Sequence, residues 1–422
     1  MSEIAMSSTQ FSVGHGSFHH SVIHSSHYDV ELSYVFDCGG ASAAADSAVR
    51  NHFHAQNFLG SALWCPEYDF ECHYHYLRRH RRYGPQEDKG TVDLAVISHL
   101  DADHVNGISA LGELTSIHRL LLPYIDSASV ISSAISGSQQ ATRRNLQALG
   151  DLAAVLTQVE SVVEIQPPSA DSPLDDDVPR PGSNNDQGAG PRWSWDERRK
   201  IASGNSLATL RGFGSTLWEL TPFLTSQVEE TWGEFGAILR KADPATAEKL
   251  DNASANTNVA HRIQEIVAVL SNPLHLRAVR RASHATYTES EADARPLLNP
   301  TSIALYSGPP AGPSSIDPAL NVAWMHTGDL PLSDEGLFNN FVTQVGPDRA
   351  RLVSTFSLAH HGAPDGLNAG LGKAFPNVRT ALGCRCSKHR HPSPATLSLL
   401  KSIGWDQHLV LNERAYLRHV HV

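Results

Sequence analysis

Cysteine is scarce in this chain, with five in 422 residues, too few and too scattered for a disulfide framework. Methionine is scarcer still, at three. No run of about 18 apolar residues occurs, which leaves no candidate membrane-spanning helix, and the N-terminus moves into a strand within about ten residues with no charged and apolar leader segment. These absences predict a soluble, cytoplasmic protein with no membrane partner. Positive charge is also in deficit: 33 Lys and Arg face 44 Asp and Glu, a net charge of −11. A general polyanion binder held by overall charge is thereby excluded, because such binding rests on neutralising phosphates. Local basic patches and divalent metals remain as routes to nucleic acid. No internal repeat or heptad pattern appears.

The chain does have a dense set of metal-ligand residues. Residues 92–97 (VDLAVI) read as a buried strand, an apolar run ending in a polar turn. Directly after it, His99, Asp101, Asp103 and His104 put four candidate ligands into six residues. In an extended segment His99 and Asp101 project to one side, and Asp103 and His104 on the following turn reach a second point, roughly the 3.5–4 Å spacing of two-metal sites. One or two divalent ions could be held there. Such an ion lowers the pKa of its water from about 16 to roughly 7, giving hydroxide at neutral pH. The plain alternative, a solvated Asp/His-rich loop, is disfavoured because other segments supply further ligands. Asp329 follows the apolar run 322–325, and Gly328 permits a tight turn that aims its carboxylate into a strand-end site. His360 and His361 end another apolar strand, 352–358, with Gly362 allowing close approach. For either histidine alone the alternative is a satisfied structural residue.

In order along the chain these motifs resemble the metallo-β-lactamase fold, in the HxDxDH variant of the ComEC-type competence proteins' soluble domain. Val13-Gly14-His15-Gly16-Ser17 resembles that family's opening VGQGD turn, and Val35-Phe36-Asp37-Cys38-Gly39 its second-strand DxG. Residues 299–305 (NPTSIAL) are similar to its N-x-x-S strand, His326-Thr327-Gly328-Asp329 to its TGD, His360-His361-Gly362 to its HHG, and His391-Pro392-Ser393-Pro394 to the HPSP opening its last helix. The resemblance implies an α/β fold, a four-layer αββα sandwich, with His99, Asp101, Asp103, His104, Asp329 and His361 holding the metal. Asp329 suits a bridge between two ions. His360 is left to support the ligands from behind or to transfer a proton, and His391 is a ligand, a phosphate contact or a helix cap.

Departures from the pattern matter. Asp101 replaces the second histidine of the commoner motif, and no G-H-T-x-G segment supplies the usual histidine before Asp329, so one metal position is nitrogen-poor. His73 or His284 could supply the absent ligand. His15 and Ser17 stand where Gln and Asp are usual. More carboxylate and less imidazole moves preference from zinc towards manganese, magnesium or iron, with manganese or zinc the expected ions. Two smaller sets, Cys384-x-Cys386-x-x-His389-x-His391 and Cys65 with Cys72, His73 and His75, have ligands enough for structural zinc, but neither has the spacing of a standard module.

The predicted organisation is one domain over 1–422. It carries a His- and aromatic-rich insertion at 41–90, a helical stretch at 127–158, a disordered loop at 167–205 and a helical insertion at 227–298. The loop is rich in Pro, Asp, Gly, Ser and Asn and cannot bury enough apolar area to order itself. Residues 216–221 read as a core strand ending at Pro222. Within the first insertion, Arg78, Arg79, Arg81 and Arg82 lie among Tyr74, Tyr76 and Tyr83, a candidate nucleic-acid contact or a plain solvated face. Arg277, Arg280 and Arg281 form a second basic cluster.

The expected function is a metal-dependent hydrolase, a phosphodiesterase or nuclease using metal-activated hydroxide on DNA or RNA. Asp103, His360 and His391 are the expected catalytic groups. A hydrolase of a small ester, lactone or nucleotide is the enzyme alternative, since fold does not choose substrate. A non-catalytic metal-binding module, docking a protein partner or a second copy through the helical insertion, is the other. A partner-regulated nuclease in bacterial defence against foreign DNA fits the chain's size and insertions.

Overall fold

Apolar runs bounded by polar turns become the strands of an α/β protein with two mixed sheets. The computed structural model describes residues 4–11, 13, 16–25, 30–40, 43–59, 90–125, 127–135, 138–166, 192–212, 215–224, 229–289, 302–311, 322–384, 391–410 and 416–421. In chain order the strands are β1 (Ile4–Gln10), β2 (Phe18–Ser25), β3 (Val30–Cys38), β4 (Gly90–Val96), β5 (Thr115–Pro123), β6 (Ser161–Gln166), β7 (Arg192–Trp195) and β8 (Lys200–Ala202). They continue as β9 (Ala208–Gly212), β10 (Ser215–Leu224), β11 (Ile303–Gly308), β12 (Ala323–His326), β13 (Val353–Ser357), β14 (Thr380–Cys384), β15 (Asp406–Val410) and β16 (Tyr416–His421). One sheet runs β16-β1-β2-β3-β4-β5-β6-β8 and the other β15-β14-β13-β12-β11-β10-β9-β7. Each has an antiparallel part and a parallel part: β3 to β8 are parallel in the first, β12 to β15 in the second.

Both faces of each sheet are covered, as parallel strands require. Along β4 the side chains alternate: Leu94 and Val96 enter an apolar core shared with Trp218, Leu220, Leu305 and Trp324 of the other sheet. Ala95 and the following Ile97 face helices on the opposite side. These include Ala43–Leu59, Ile108–Leu114 and Gln139–Leu156. The second sheet's outer face packs on Glu335–Leu352 and Pro394–Ser402 through Phe338, Phe341 and Leu400.

The expected helical insertion forms four consecutive helices, Glu229–Ala242, Pro244–Ser254, Val259–Ser271 and Pro273–Glu289. Their apolar stripe (Leu239, Leu250, Ile263, Ile266, Leu270, Val279) joins the same core as Leu149 and Leu152 of Gln139–Leu156, so it is packed onto the first sheet's helical side.

Several expectations need correction. Part of the loop expected to be disordered is ordered: β7 and β8 lie within 192–205 and add an edge strand to each sheet. Ile201 is buried between the sheets with Trp193 and Trp195 packed beside it, and this apolar contact outweighs the polar composition around it. The helical stretch 127–158 is two helices, Ser127–Ile135 and Gln139–Leu156, the second capped by Ser138 accepting from the Ala141 N–H. Strand β10 does not stop at Pro222, which pairs with Leu305. Its neighbour β9 is paired only as far as Leu220, so the missing N–H of Pro222 interrupts no ladder there. In the 41–90 insertion, helix Ala43–Leu59 is seen, whereas Arg78, Arg79, Arg81, Arg82, Cys65, Cys72, His73 and His75 lie outside the described residues.

Candidate metal centre

The parallel strands of both sheets end on one side, and their C-terminal loops meet there, where ligand sites of open α/β sheets form. The Ile303 N–H donates to the Ser98 carbonyl at 2.8 Å, joining the loop after β4 to the start of β11. The His360 N–H donates to the Gly328 carbonyl at 3.0 Å, joining the loops after β12 and β13. Gly328 has φ 51°, and a Cβ there would lie 2.4 Å from Ser302 Oγ and 2.7 Å from Ser98 Cβ. Only glycine lets these loops close.

Asp329 sits at the centre, with its two oxygens facing different sets of residues. Oδ2 lies 3.6 Å from His99 Nε2 and 3.9 Å from His360 Nε2. Oδ1 lies 3.3 Å from His104 Nε2 and 3.8 Å from His361 Nε2. Asp101 Oδ2 is 3.8 Å from His99 Nε2, while Asp103 Oδ2 is 3.4 Å from His361 Nε2 and 3.9 Å from His104 Nε2. Ligand atoms of His99, His104 and Asp329 lie within 4.8 Å of one another, as do those of Asp103, His104 and His361. Bonds of about 2.1 Å in a tetrahedral shell separate neighbouring ligand atoms by about 3.4 Å, so the spacing fits a shared cation.

Whether these residues suit a metal is tested by what else satisfies them. His99 Nε2, His104 Nε2 and Asp329 Oδ1 are buried with no hydrogen-bond partner among the described residues. Such atoms are expensive unless something completes them. The opposite ring nitrogens are occupied. Asp37 Oδ2 lies 2.8 Å from His104 Nδ1 and also accepts from Ser98 Oγ at 2.9 Å, and Asp37 Oδ1 accepts from the Ser98 N–H at 2.7 Å. Ser98 Oγ, its proton committed to Asp37, can accept from His99 Nδ1 at 3.0 Å. Both rings thus turn Nε2 to the centre, and the Asp37 carboxylate behind His104 gives that residue the carboxylate–histidine arrangement typical of metal ligands.

The charges agree. Burial opposes a proton on His104, but Asp329, Asp37 and Asp103 outweigh it and raise its pKa well above the usual value. Burial likewise opposes ionised Asp329, yet His104, His361 and His99 hold its pKa well below the carboxylate range. Asp101 is raised, by burial first and then by Asp103 and Asp329 against the pull of His99. A field that draws protons so strongly also draws a cation. For His360, burial again opposes charge, but the hydrogen bond to Asp365 and the nearby carboxylates raise it to about 9. Its Nδ1 lies 3.1 Å from both Asp365 oxygens, which orients Nε2 towards Asp329.

The loop bearing these histidines is unusual in backbone. His360, His361 and Gly362 have φ of 49°, 55° and 83°, a left-handed run that costs L-residues about 1–2 kcal/mol each. The last helix holds it: Thr396 Oγ1 donates to the Gly362 carbonyl at 2.8 Å, and the Ser393 N–H to the same oxygen at 3.4 Å. Ser393, not His391, caps that helix, accepting from the Thr396 N–H. The His391 ring lies 5.9 Å from that of His360, at the edge of the site. Between the sheets, a water-sized cavity of about 30 Å³ is lined by His104, His361, His326, Gln10 and Cys384.

Five of the six expected ligands thus fall into two overlapping sets that share His104, Asp101 lies against His99, His360 lies near Asp329, and His391 stands beside His360. His284's side chain, His73, Cys386 and His389 lie outside the described residues. Asp37, Ser98, Ser133, Ser302 and Asp365 were not singled out as functional. Ser133 Oγ donates to Asp101 Oδ1 at 2.7 Å, and the Asp329 N–H donates to Ser302 Oγ at 2.9 Å. Only Asp37 and Ser302 had a signal, their places in the DxG and N-x-x-S segments. No family model matches this chain, and no curated protein matches it.

Proposed function

We propose that this chain is a metal-dependent hydrolase of the metallo-β-lactamase type, a four-layer αββα sandwich acting as a phosphodiesterase on DNA or RNA. The observation carrying the reading is the placement of Asp329, with Oδ2 nearer His99 and Oδ1 nearer His104, so that this carboxylate could serve one ion or be shared between two. His99, Asp101 and Asp329 would hold one divalent ion, with His360 filling the place of the histidine the motif lacks or protonating the leaving oxygen. Asp103, His104, His361 and Asp329 would hold the other. The first set is carboxylate-rich and favours manganese, magnesium or iron, whereas the second also suits zinc. A bound ion supplies Lewis acidity, lowering the pKa of water from about 16 to roughly 7 and stabilising charge on phosphoryl oxygens.

The chain's own residues do the rest. Asp37 fixes the His104 tautomer through Nδ1, and Ser98 does the same for His99. Asp103, partly exposed, would accept a proton from attacking water. His391, whose ring lies 5.9 Å from that of His360, would contact the phosphate.

The test is cleavage of single- and double-stranded DNA and of RNA by metal-stripped protein titrated with manganese, magnesium and zinc, beside Asp103→Ala and Asp329→Ala. Metal-restored cleavage that both substitutions remove is the expected result. Folded, metal-loaded protein that cleaves none of them would move the reading to a small ester, lactone or nucleotide substrate, or to a metal-binding module without catalysis.

A further inference from the structure

We infer that an arginine patch beside the metal centre, formed by Arg143, Arg144, Arg277, Arg280 and Arg281, is the surface that holds the phosphate backbone of a nucleic-acid strand. In a chain of net charge −11, arginines tend to be answered by acidic neighbours. Arg50 pairs with Asp46 and Glu113, Arg240 with Asp251, Arg262 with Glu164 and Arg349 with Glu219. Among the described residues none of the five patch arginines makes an ion pair. No Asp or Glu occurs at 139–150 in one contributing helix or at 273–288 in the other.

The two helices bring these charges together. On Pro273–Glu289, residues 277, 280 and 281 share a face by their one-turn spacing, while Val279 and Ala282 are buried in the core. Arg280 reaches across to donate to Thr142 Oγ1, and Arg143 and Arg144 follow Thr142 directly. Arg143, Arg144, Arg277 and Arg281 are exposed. The Arg280 Nε is buried with no hydrogen-bond partner among the described residues.

The patch is tied to the metal centre by a short relay. One helical turn beyond Thr142, Asn145 Nδ2 donates to the Ser133 carbonyl at 2.6 Å, and Ser133 Oγ donates to Asp101 Oδ1 at 2.7 Å. A strand with its scissile phosphate at the metals would thus bring flanking phosphates to these guanidinium groups, whose planar forks match phosphate oxygens. The choice of ligand rests on the phosphodiesterase reading; the cluster of arginines without ion pairs among the described residues does not.

Fluorescence anisotropy with labelled single-stranded DNA and RNA oligonucleotides, between about 50 and 200 mM salt, tests the inference. It compares the wild type with the combined variant Arg143→Glu, Arg144→Glu, Arg277→Glu, Arg281→Glu and with the same four positions changed to Lys. The Glu variant should bind on the order of a hundredfold more weakly or worse, with the slope of log affinity against log salt reduced by about one per arginine. The Lys variant should keep most of the binding, since charge is retained. Wild-type affinity and slope in a Glu variant with a native unfolding midpoint would overturn the inference. So would a preference of the wild type for polyglutamate over the oligonucleotides, which would assign the patch to an acidic protein. Metal-loaded protein that binds the probe but hydrolyses neither polymer nor bis(p-nitrophenyl) phosphate would sink the hydrolase reading and leave the patch standing. Hydrolysis of the small diester with no probe binding would do the reverse.

Discussion

Buried histidines occur in two groups in this fold, and their surroundings set them apart. His99, His104 and His361 converge on Asp329 and Asp103, with Asp37 behind His104. His19, His20, His52 and His326 lie among hydroxyls, aromatic rings and one another: His19 reaches Ser21, His20 reaches Ser33 and His52, and His326 stacks on Phe36 and Trp324. Burial drives an imidazole neutral. In the second group burial prevails, and His20 falls to about 4 and His326 to about 3. In the first, carboxylates reverse the sign for His104. Histidine count therefore says little about a metal site; the placement of buried aspartate decides.

Removing the central carboxylate is the largest break in this contrast. Asp329→Ala should retain no ion through desalting and lose metal-dependent hydrolysis to background. Leaving buried cationic groups without their partner costs about 3–5 kcal/mol, read as a lowered urea midpoint. Acid attacks the other group. Below about pH 6.5 the unfolded chain binds protons that folded His20 and His326 refuse, so stability present at neutral pH declines as pH falls towards 4. By pH 5 the loss is roughly 2 kcal/mol per histidine, measurable as urea midpoints across pH. His104 acts oppositely in metal-stripped protein, its stabilising proton lost as pH rises. Asp37→Asn should weaken metal binding at the His104 side by roughly 10- to 100-fold, seen by titration calorimetry with manganese. Ser133→Ala should have the smallest effect, about 10-fold on the ion held by His99 and Asp101 and about 1 kcal/mol in stability. An equal loss at both ions would contradict the assignment of Ser133 to one side.

Local order carried much of this into the sequence. His99, Asp101, Asp103 and His104 are legible because four ligands follow one apolar strand, and Asp329 and His361 because glycines mark tight turns beside them. The long-range partners were not. Ser133 lies 32 positions from Asp101 inside an ordinary helix, and Asp37 gains its role only when β3 lies against β4. The ordered strands β7 and β8 were hidden by the composition of the segment before them, because edge pairing and burial of Ile201 are tertiary effects. His326 looked like part of a ligand motif, yet its ring turns between the sheets.

The left-handed histidine loop makes a helix distant in sequence part of the site. His360 and His361 stay in that backbone because Ser393 and Thr396, more than thirty positions later, grip the Gly362 carbonyl. The 393–402 helix is thus a brace for the metal centre, fixing through two hydrogen bonds to one carbonyl the backbone that carries His360 and His361.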